Sequence, residues 1–187
     1  MYSFDPDSGT VAEARQVASP NCDGRPSGCE PELIVVHGIS LPPQQYGGPW
    51  IDQLFCNCLD CAAHPYFEKL ENLQVSAHFL VRRDGELVQY VPTGLRAWHA
   101  GQSAHLGRDR CNDFSIGIEL EGDDTTPYEE VQYRTLAELV RTLHSGIAAL
   151  AAGDIVGHSD IAPGRKTDPG PAFDWQRLRL MLEAAAE

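Results

Sequence analysis

Apolar positions recur along this chain in two periods, one fitting strands and one fitting helices. Leu33-Ile34-Val35-Val36 is an unbroken apolar run rich in β-branched residues and bounded by Pro31 and Gly38. Such a run fits a strand buried on both faces. It delivers His37 at its end, the side on which open α/β sheets place their ligands. Residues 77–82 and 87–91 flank Asp84-Gly85 and read as a β-hairpin, because Asp-Gly supplies the positive φ angles of a tight type I′ turn. In residues 115–121 the alternation is strict. Ile116, Ile118 and Leu120 fall on one side of a strand, while Ser115, Gly117, Glu119 and Glu121 fall on the other. One side is core; the other is free to line a cleft.

From residue 128 to about 152 the period becomes helical. Leu136, Leu139, Val140, Leu143, Ile147 and Leu150 make one stripe, which Gly153 ends. Ile155-Val156 follows as a brief strand that delivers His158. Residues 173–185 close the chain as a helix, with Trp175, Leu178 and Leu182 for packing and Asp174 as its N-cap. Residues 50–75 have room for one or two short helices, and the Pro- and Gly-rich stretches 41–49 and 162–171 are loops. Residues 1–31, rich in Pro, Gly, Asp and Ser, form an irregular N-terminal arm over the surface. Neither an internal repeat nor a linker divides the rest. The expected fold is α+β: a single domain, residues 32–187, with a mixed central β-sheet flanked by helices.

Composition narrows the function classes. A chain of 187 residues buries roughly 70% of its unfolded surface and needs neither disulfide nor metal in order to fold. Lys and Arg number 14 against 27 Asp and Glu, a formal net charge of -13. That charge repels phosphate backbones and anionic headgroups, so nucleic acid and membrane surfaces are poor partners. A few local cations can still hold a small anion within a Debye length. Residues 1–10 contain Asp5 and Asp7 but no basic or apolar segment, unlike a signal peptide. No run approaches the roughly 18 apolar residues of a membrane span. The expected location is the cytoplasm, where the six cysteines (Cys22, Cys29, Cys56, Cys58, Cys61 and Cys111) stay reduced.

Candidate chemistry gathers on the two histidines that end apolar runs, His37 and His158, and on Asp168 in the loop Arg165-Lys166-Thr167-Asp168-Pro169-Gly170. Two imidazoles and one carboxylate suit Zn²⁺ and leave a fourth position open for water, as catalytic sites do. Because 121 residues separate His37 from His158, spacing alone leaves open whether they meet at an ion or are loop residues without one.

Further fragments decide between these. His37 after its strand, Ser76-Ala77-His78, Ala97-Trp98-His99-Ala100-Gly101, Ile116-Gly117-Ile118-Glu119, Gly157-His158 and the 165–170 loop recur together in one family. The chain resembles the zinc-dependent N-acetylmuramoyl-L-alanine amidases and, within them, the cytoplasmic AmpD type. Ile39-Ser40-Leu41-Pro42-Pro43, Cys111-Asn112-Asp113-Phe114-Ser115 and residues 169–175 tighten the match, which spans about residues 17–180. The resemblance implies an amidase or peptidoglycan-recognition-like fold with zinc on His37, His158 and Asp168. It implies Glu119 as the catalytic carboxylate, Lys166 as the cation that stabilises the oxyanion, and Trp98 and Arg110 as contacts for the sugar and the peptide stem. Glu121, on the same side of the strand as Glu119, is the rival base.

The implied reaction is hydrolysis of the amide between N-acetylmuramic acid and L-alanine, preferably in the 1,6-anhydro muropeptides of peptidoglycan recycling. Loss of that reaction raises the muropeptides that signal β-lactamase induction. The implied partner is this small-molecule substrate, acted on by a monomer. Two alternatives remain: a non-catalytic muropeptide-recognition domain on the same scaffold, and an exported amidase of intact wall. Gly38 stands where close relatives carry Asn, and Gln74 where Arg can occur; both touch affinity more than reaction type. Cys56, Cys58 and Cys61, with His64 nearby, form a cluster foreign to the family. They are open to three readings: a structural zinc, a redox pair or plain loop thiols. His144 is expected to be exposed, His64 and His105 to lie in loops, and His78 and His99 to line the pocket as hydrogen-bond partners.

Overall fold

The computed structural model describes residues 1–151 and 153–184. The helix ends expected near Ala152 and at Ala185 lie outside the described residues. Among the described residues, six strands build the central sheet: β1 (Arg15–Gln16), β2 (Leu33–Ile39), β3 (Phe79–Val81), β4 (Leu87–Gln89), β5 (Ser115–Glu121) and β6 (Ile155–Gly157). Their order is β6-β2-β5-β3-β4-β1. Strands β6, β2, β5 and β3 are parallel, β4 is antiparallel to β3, and β1 runs parallel to β4. The sheet is therefore mixed. Four α-helices among the described residues accompany it: α1 (Trp50–Phe55), α2 (Glu130–Gly146), α3 (His158–Ile161) and α4 (Trp175–Glu183). None of the described helices is long and apolar enough to cross a membrane.

Strand alternation gives the two faces of the sheet different partners. Ile34 and Val36 of β2, and Ile116, Ile118 and Leu120 of β5, pack against Leu136, Leu139, Val140 and Leu143 of α2 and Leu178 of α4. Each such side chain contributes roughly 1.5–3 kcal/mol by leaving water. The opposite face carries two separate apolar clusters. One joins Leu80 and Val88 to Ile51, Leu54 and Phe55 of α1 and to Phe67. The other joins Leu33 and Val35 to Cys111, Phe114 and Ile161. Polar residues of the sheet fill the gap between those clusters, and that gap holds the site.

The start of α2 is tied to the sheet by a buried amide. Gln132 Oε1 accepts from Glu129 N at 3.0 Å, while Gln132 Nε2 donates to Val81 O at 3.2 Å and to Glu121 O at 3.0 Å. The helix ends at Gly146, earlier than the stripe predicts. Ile147 is extended there, and residues 148–150 form a 3-10 turn that still buries Leu150. A side chain at Gly146 would strike the Phe4 ring, so the N-terminal segment closes that end. Asp174 caps α4 as expected, accepting from Arg177 N at 2.9 Å.

Two further expectations change. The β3–β4 hairpin forms, but without a type I′ turn. Gly85 has φ +87° and Asp84 is not among the positive-φ residues. Arg82 N donates to Glu86 O, and Gly85 N to Arg82 O. This is a three-residue loop in which glycine alone takes the left-handed position. The arm, residues 1–31, carries short strands at Phe4–Asp5, Thr10–Val11, Arg15–Gln16 and Cys22–Gly24. Val11 and Ala14 enter the main core. The guanidinium of Arg25 donates to the carbonyls of Thr93, Asn112, Asp113 and Ser115. Burial lowers its pKa to about 10. Pairings of two or three residues leave no readable period, so the sequence shows only the composition of a loop there.

Candidate active site

His37 and Glu119 owe their proximity to the parallel ladder between β2 and β5, where they are register partners. Both side chains leave the face that carries Leu33, Val35 and Gly117. His158 follows β6 as the first residue of α3, and Gly157 pairs with Val36. Asp168 comes from the following loop, which is folded back by Ser159 N donating to Asp168 O at 3.0 Å. Arg165 braces that loop from outside, donating to Ala100 O and Gln102 O.

These pieces bring three ligand atoms together. His37 Nδ1 lies 2.9 Å from His158 Nδ1 and 3.2 Å from Asp168 Oδ2, and His158 Nδ1 lies 3.0 Å from the same oxygen. Ligand atoms of the three residues fall within 4.8 Å of one another, the one such group of His, Cys, Asp or Glu among the described residues. The second nitrogens are engaged elsewhere: His158 Nε2 lies 3.2 Å from Ala100 O and His37 Nε2 2.9 Å from His99 Nδ1. Ala100 O can only accept, while the Arg165 guanidinium, 3.4 Å from the same Nε2, can only donate; His158 Nδ1 is the nitrogen that faces His37 and Asp168. Burial, partly offset by Asp168, lowers the His37 pKa to about 4. That favours the neutral, ligating imidazole. Two imidazole nitrogens and a carboxylate oxygen facing one point suit a divalent ion with an open position.

The triad opens into a cavity of about 280 Å³ that Glu119 and Lys166 also line, with an apolar wall of Leu41, Leu54, Phe55, Leu70 and Leu73 opposite. Glu119 Oε2 is buried without a hydrogen-bond partner among the described residues. Burial, reinforced by the Asp168 charge, holds the Glu119 carboxyl well above the ordinary range; the Lys166 ammonium acts in the opposite sense. An unpaired buried carboxylate is costly. Beside an ion site it reads as a proton carrier.

The rival base has other duties. Glu121 accepts from Gly47 N at 2.7 Å and Arg83 N at 3.2 Å and sits 3.5 Å from the Arg82 guanidinium. It lines a separate cavity with Arg15, Tyr46 and Glu86. Trp98 and Arg110 do not line the triad cavity. Trp98 is half-buried beside it, its backbone N bound to Ser76 Oγ and its indole N donating to Asp23. Arg110 is 70% exposed and pairs with Asp113 at 3.1 Å.

Cys56, Cys58, Cys61 and His64 are not gathered into an ion-binding group among the described residues. Cys58 is exposed, Cys61 contacts Leu59 O, and His64 Nδ1 accepts from Tyr66 N as a turn cap. His105 lies 3.0 Å from Asp154. His144 is not exposed as expected; it is half-buried, its Nε2 covered and without a hydrogen-bond partner among the described residues. Sequence reasoning missed Tyr128 and Ser115. Tyr128 donates to Pro169 O at 3.0 Å, directly behind Asp168. Ser115 stands 3.2 Å from His99 Nε2. Neither lies in a ligand-spaced motif, so spacing held no signal for them.

A histidine pair delivered by neighbouring strands, a loop carboxylate and a buried glutamate together form a group with the donor set of a divalent-ion site. The chain belongs to the N-acetylmuramoyl-L-alanine amidase family, whose match spans residues 27–171. Over 177 residues it is 58% identical to the 1,6-anhydro-N-acetylmuramyl-L-alanine amidase AmpD of Salmonella typhimurium strain SL1344, covering 95% of this chain and 94% of that protein. A selenomethionine AmpD derivative, known as a crystal structure, is 56% identical and superposes with a TM-score of 0.92 over 96% of this chain and 99% of its own. AmpDh3 from Pseudomonas aeruginosa, solved with anhydromuramic pentapeptide, is 30% identical, with a TM-score of 0.59 over 83% and 61% of the two chains.

Proposed function

We propose that this chain hydrolyses the amide between 1,6-anhydro-N-acetylmuramic acid and L-alanine of the peptide stem, with Zn²⁺ held by His37, His158 and Asp168. The observation that carries this is the convergence of those three ligand atoms beside the unpartnered carboxylate of Glu119. Bound there, zinc would acidify a water to a pKa of about 7 and polarise a carbonyl. Glu119 takes a proton from the attacking water and returns it to the departing amine of L-alanine. Its raised affinity for protons suits that transfer. Lys166, which lines the same cavity, supplies positive charge where the amide oxygen becomes negative. Trp98 offers a flat face to the sugar. Arg110, mostly in solvent, has donors left for a stem carboxylate. His158 and Asp168 sit on either side of the segment that presents Lys166, so ligands and cation are placed together.

The setting that fits is cytoplasmic peptidoglycan recycling, with a monomer acting on a small substrate and neither nucleic acid nor membrane as partner. Loss of activity would raise the muropeptides that signal β-lactamase induction. A non-catalytic recognition domain would need neither an ion nor Glu119, whereas His37, His158, Asp168 and Glu119 all stand here. The test incubates purified protein with an anhydro-muropeptide and with intact sacculi, with and without a chelator, and follows release of the L-alanyl peptide by mass spectrometry. Release from the muropeptide that stops with chelator and returns with zinc is expected. Unchanged muropeptide in excess zinc would overturn the proposal, and efficient digestion of sacculi would move the substrate to intact wall.

A further inference from the structure

Behind His37 lies a chain of hydrogen bonds with a direction fixed at its far end. Cys111 O is a carbonyl and can only accept, and Ser115 Oγ lies 2.6 Å from it, so the serine hydroxyl donates there. Ser115 Oγ then accepts from His99 Nε2 at 3.2 Å, which puts the ring proton of His99 on Nε2. His99 Nδ1 is left as an acceptor, and it lies 2.9 Å from His37 Nε2. His37 therefore carries its proton on Nε2 and keeps the lone pair on Nδ1, the atom that faces His158 and Asp168.

A second observation bears on the same ring. Gly117, the β5 residue between Ile116 and Ile118, has no side chain where His99 packs; a Cβ there would stand 2.6 Å from His99 Nδ1. The strand thus leaves a slot in which the ring is held edge-on to His37, with an interplanar angle of 87°.

We infer that His99, seated against Gly117, is a positioning residue for the metal centre: it selects the Nδ1 lone pair of His37 as the ligand and fixes the plane of that ring. This rests on reading the triad as an ion site, and it assigns His99 no contact with ion or substrate. Partners of this kind orient the ligand and raise its basicity, and their loss typically costs about 10–100-fold in metal affinity.

Zinc affinity, measured by chelator competition independently of turnover, is compared among the unaltered protein, His99→Leu, His99→Gln and Gly117→Ala. His99→Leu is expected to weaken zinc binding about 10–100-fold. Gly117→Ala, which removes no polar atom but closes the slot, is expected to weaken it in the same direction. His99→Gln, whose amide can both accept and donate, is expected to recover most of the loss. Leu and Gln variants that bind equally well, or equally badly, overturn the inference. Should a variant not fold, nitrogen NMR of the imidazoles in the metal-free unaltered protein decides. His37 protonated on Nε2 supports the assignment; His37 protonated on Nδ1 overturns it. A protein with that Nε2 proton but no zinc binding would sink the ion site and leave the hydrogen-bond chain standing.

Discussion

Next to His37, residue 38 shows how one missing side chain shapes the site. A Cβ at Gly38 would collide with the Tyr128 hydroxyl, which instead donates to Pro169 O beside Asp168. Gly38→Ala should destabilise the protein by about 1–3 kcal/mol through overpacking. Adding Tyr128→Phe should return part of that loss; urea titrations of both variants test the coupling. Glu119→Ala should keep its zinc and lose about 10²–10⁴-fold in turnover, read by metal analysis and muropeptide assay on one sample. Full activity would hand the proton to another group. The two histidine candidates were legible in sequence because each ends an apolar run, whereas Asp168 offered only its place in a Pro- and Gly-rich loop. The convergence of the three was not legible, since contacts between residues so far apart have no local signature. The family resemblance already favoured Glu119 over Glu121; the physical reason appears in three dimensions, where Glu121 is tied to Gly47, Arg82 and Arg83.

Secondary structure elements follow the same division. Strands β2 and β5 and helix α2 could be read directly, because a long apolar run or stripe reports one continuous buried surface. The hairpin was legible as a hairpin but not in its turn, which is set by the loop closing between Arg82 and Glu86. Here Gly85 is doubly constrained: its φ is +87°, and a Cβ would press on Val131 of α2. Gly85→Ala should cost about 1–2 kcal/mol in backbone strain alone. In a chain of this size that lowers the melting temperature by roughly 2–8 °C. A melt within a degree of the unaltered protein would contradict this account of the loop. The helix end at Gly146 and the short strands of residues 1–31 escaped the sequence because packing against distant residues decides them.

At the level of the whole molecule, the sheet is complete without an ion: its helix-side core lies on the face opposite the triad. Zinc should therefore add stability to a protein already folded. At about a thousandfold excess over its dissociation constant it adds about 4 kcal/mol. That raises the melting temperature by roughly 8–16 °C. Calorimetry with zinc and with chelator checks this, and identical melts would count against the ion site. The register that sets His37 opposite Glu119 also orders events in time. His37 lies 121 positions before His158 and 131 before Asp168, so most of the chain must close on itself before all three can share an ion. Zinc cannot template this protein as it does a zinc finger. Stopped-flow refolding should show the same rate with and without zinc, while unfolding slows in its presence, as expected for an interaction absent from the transition state. An ion bound there would act as a lock fitted after assembly.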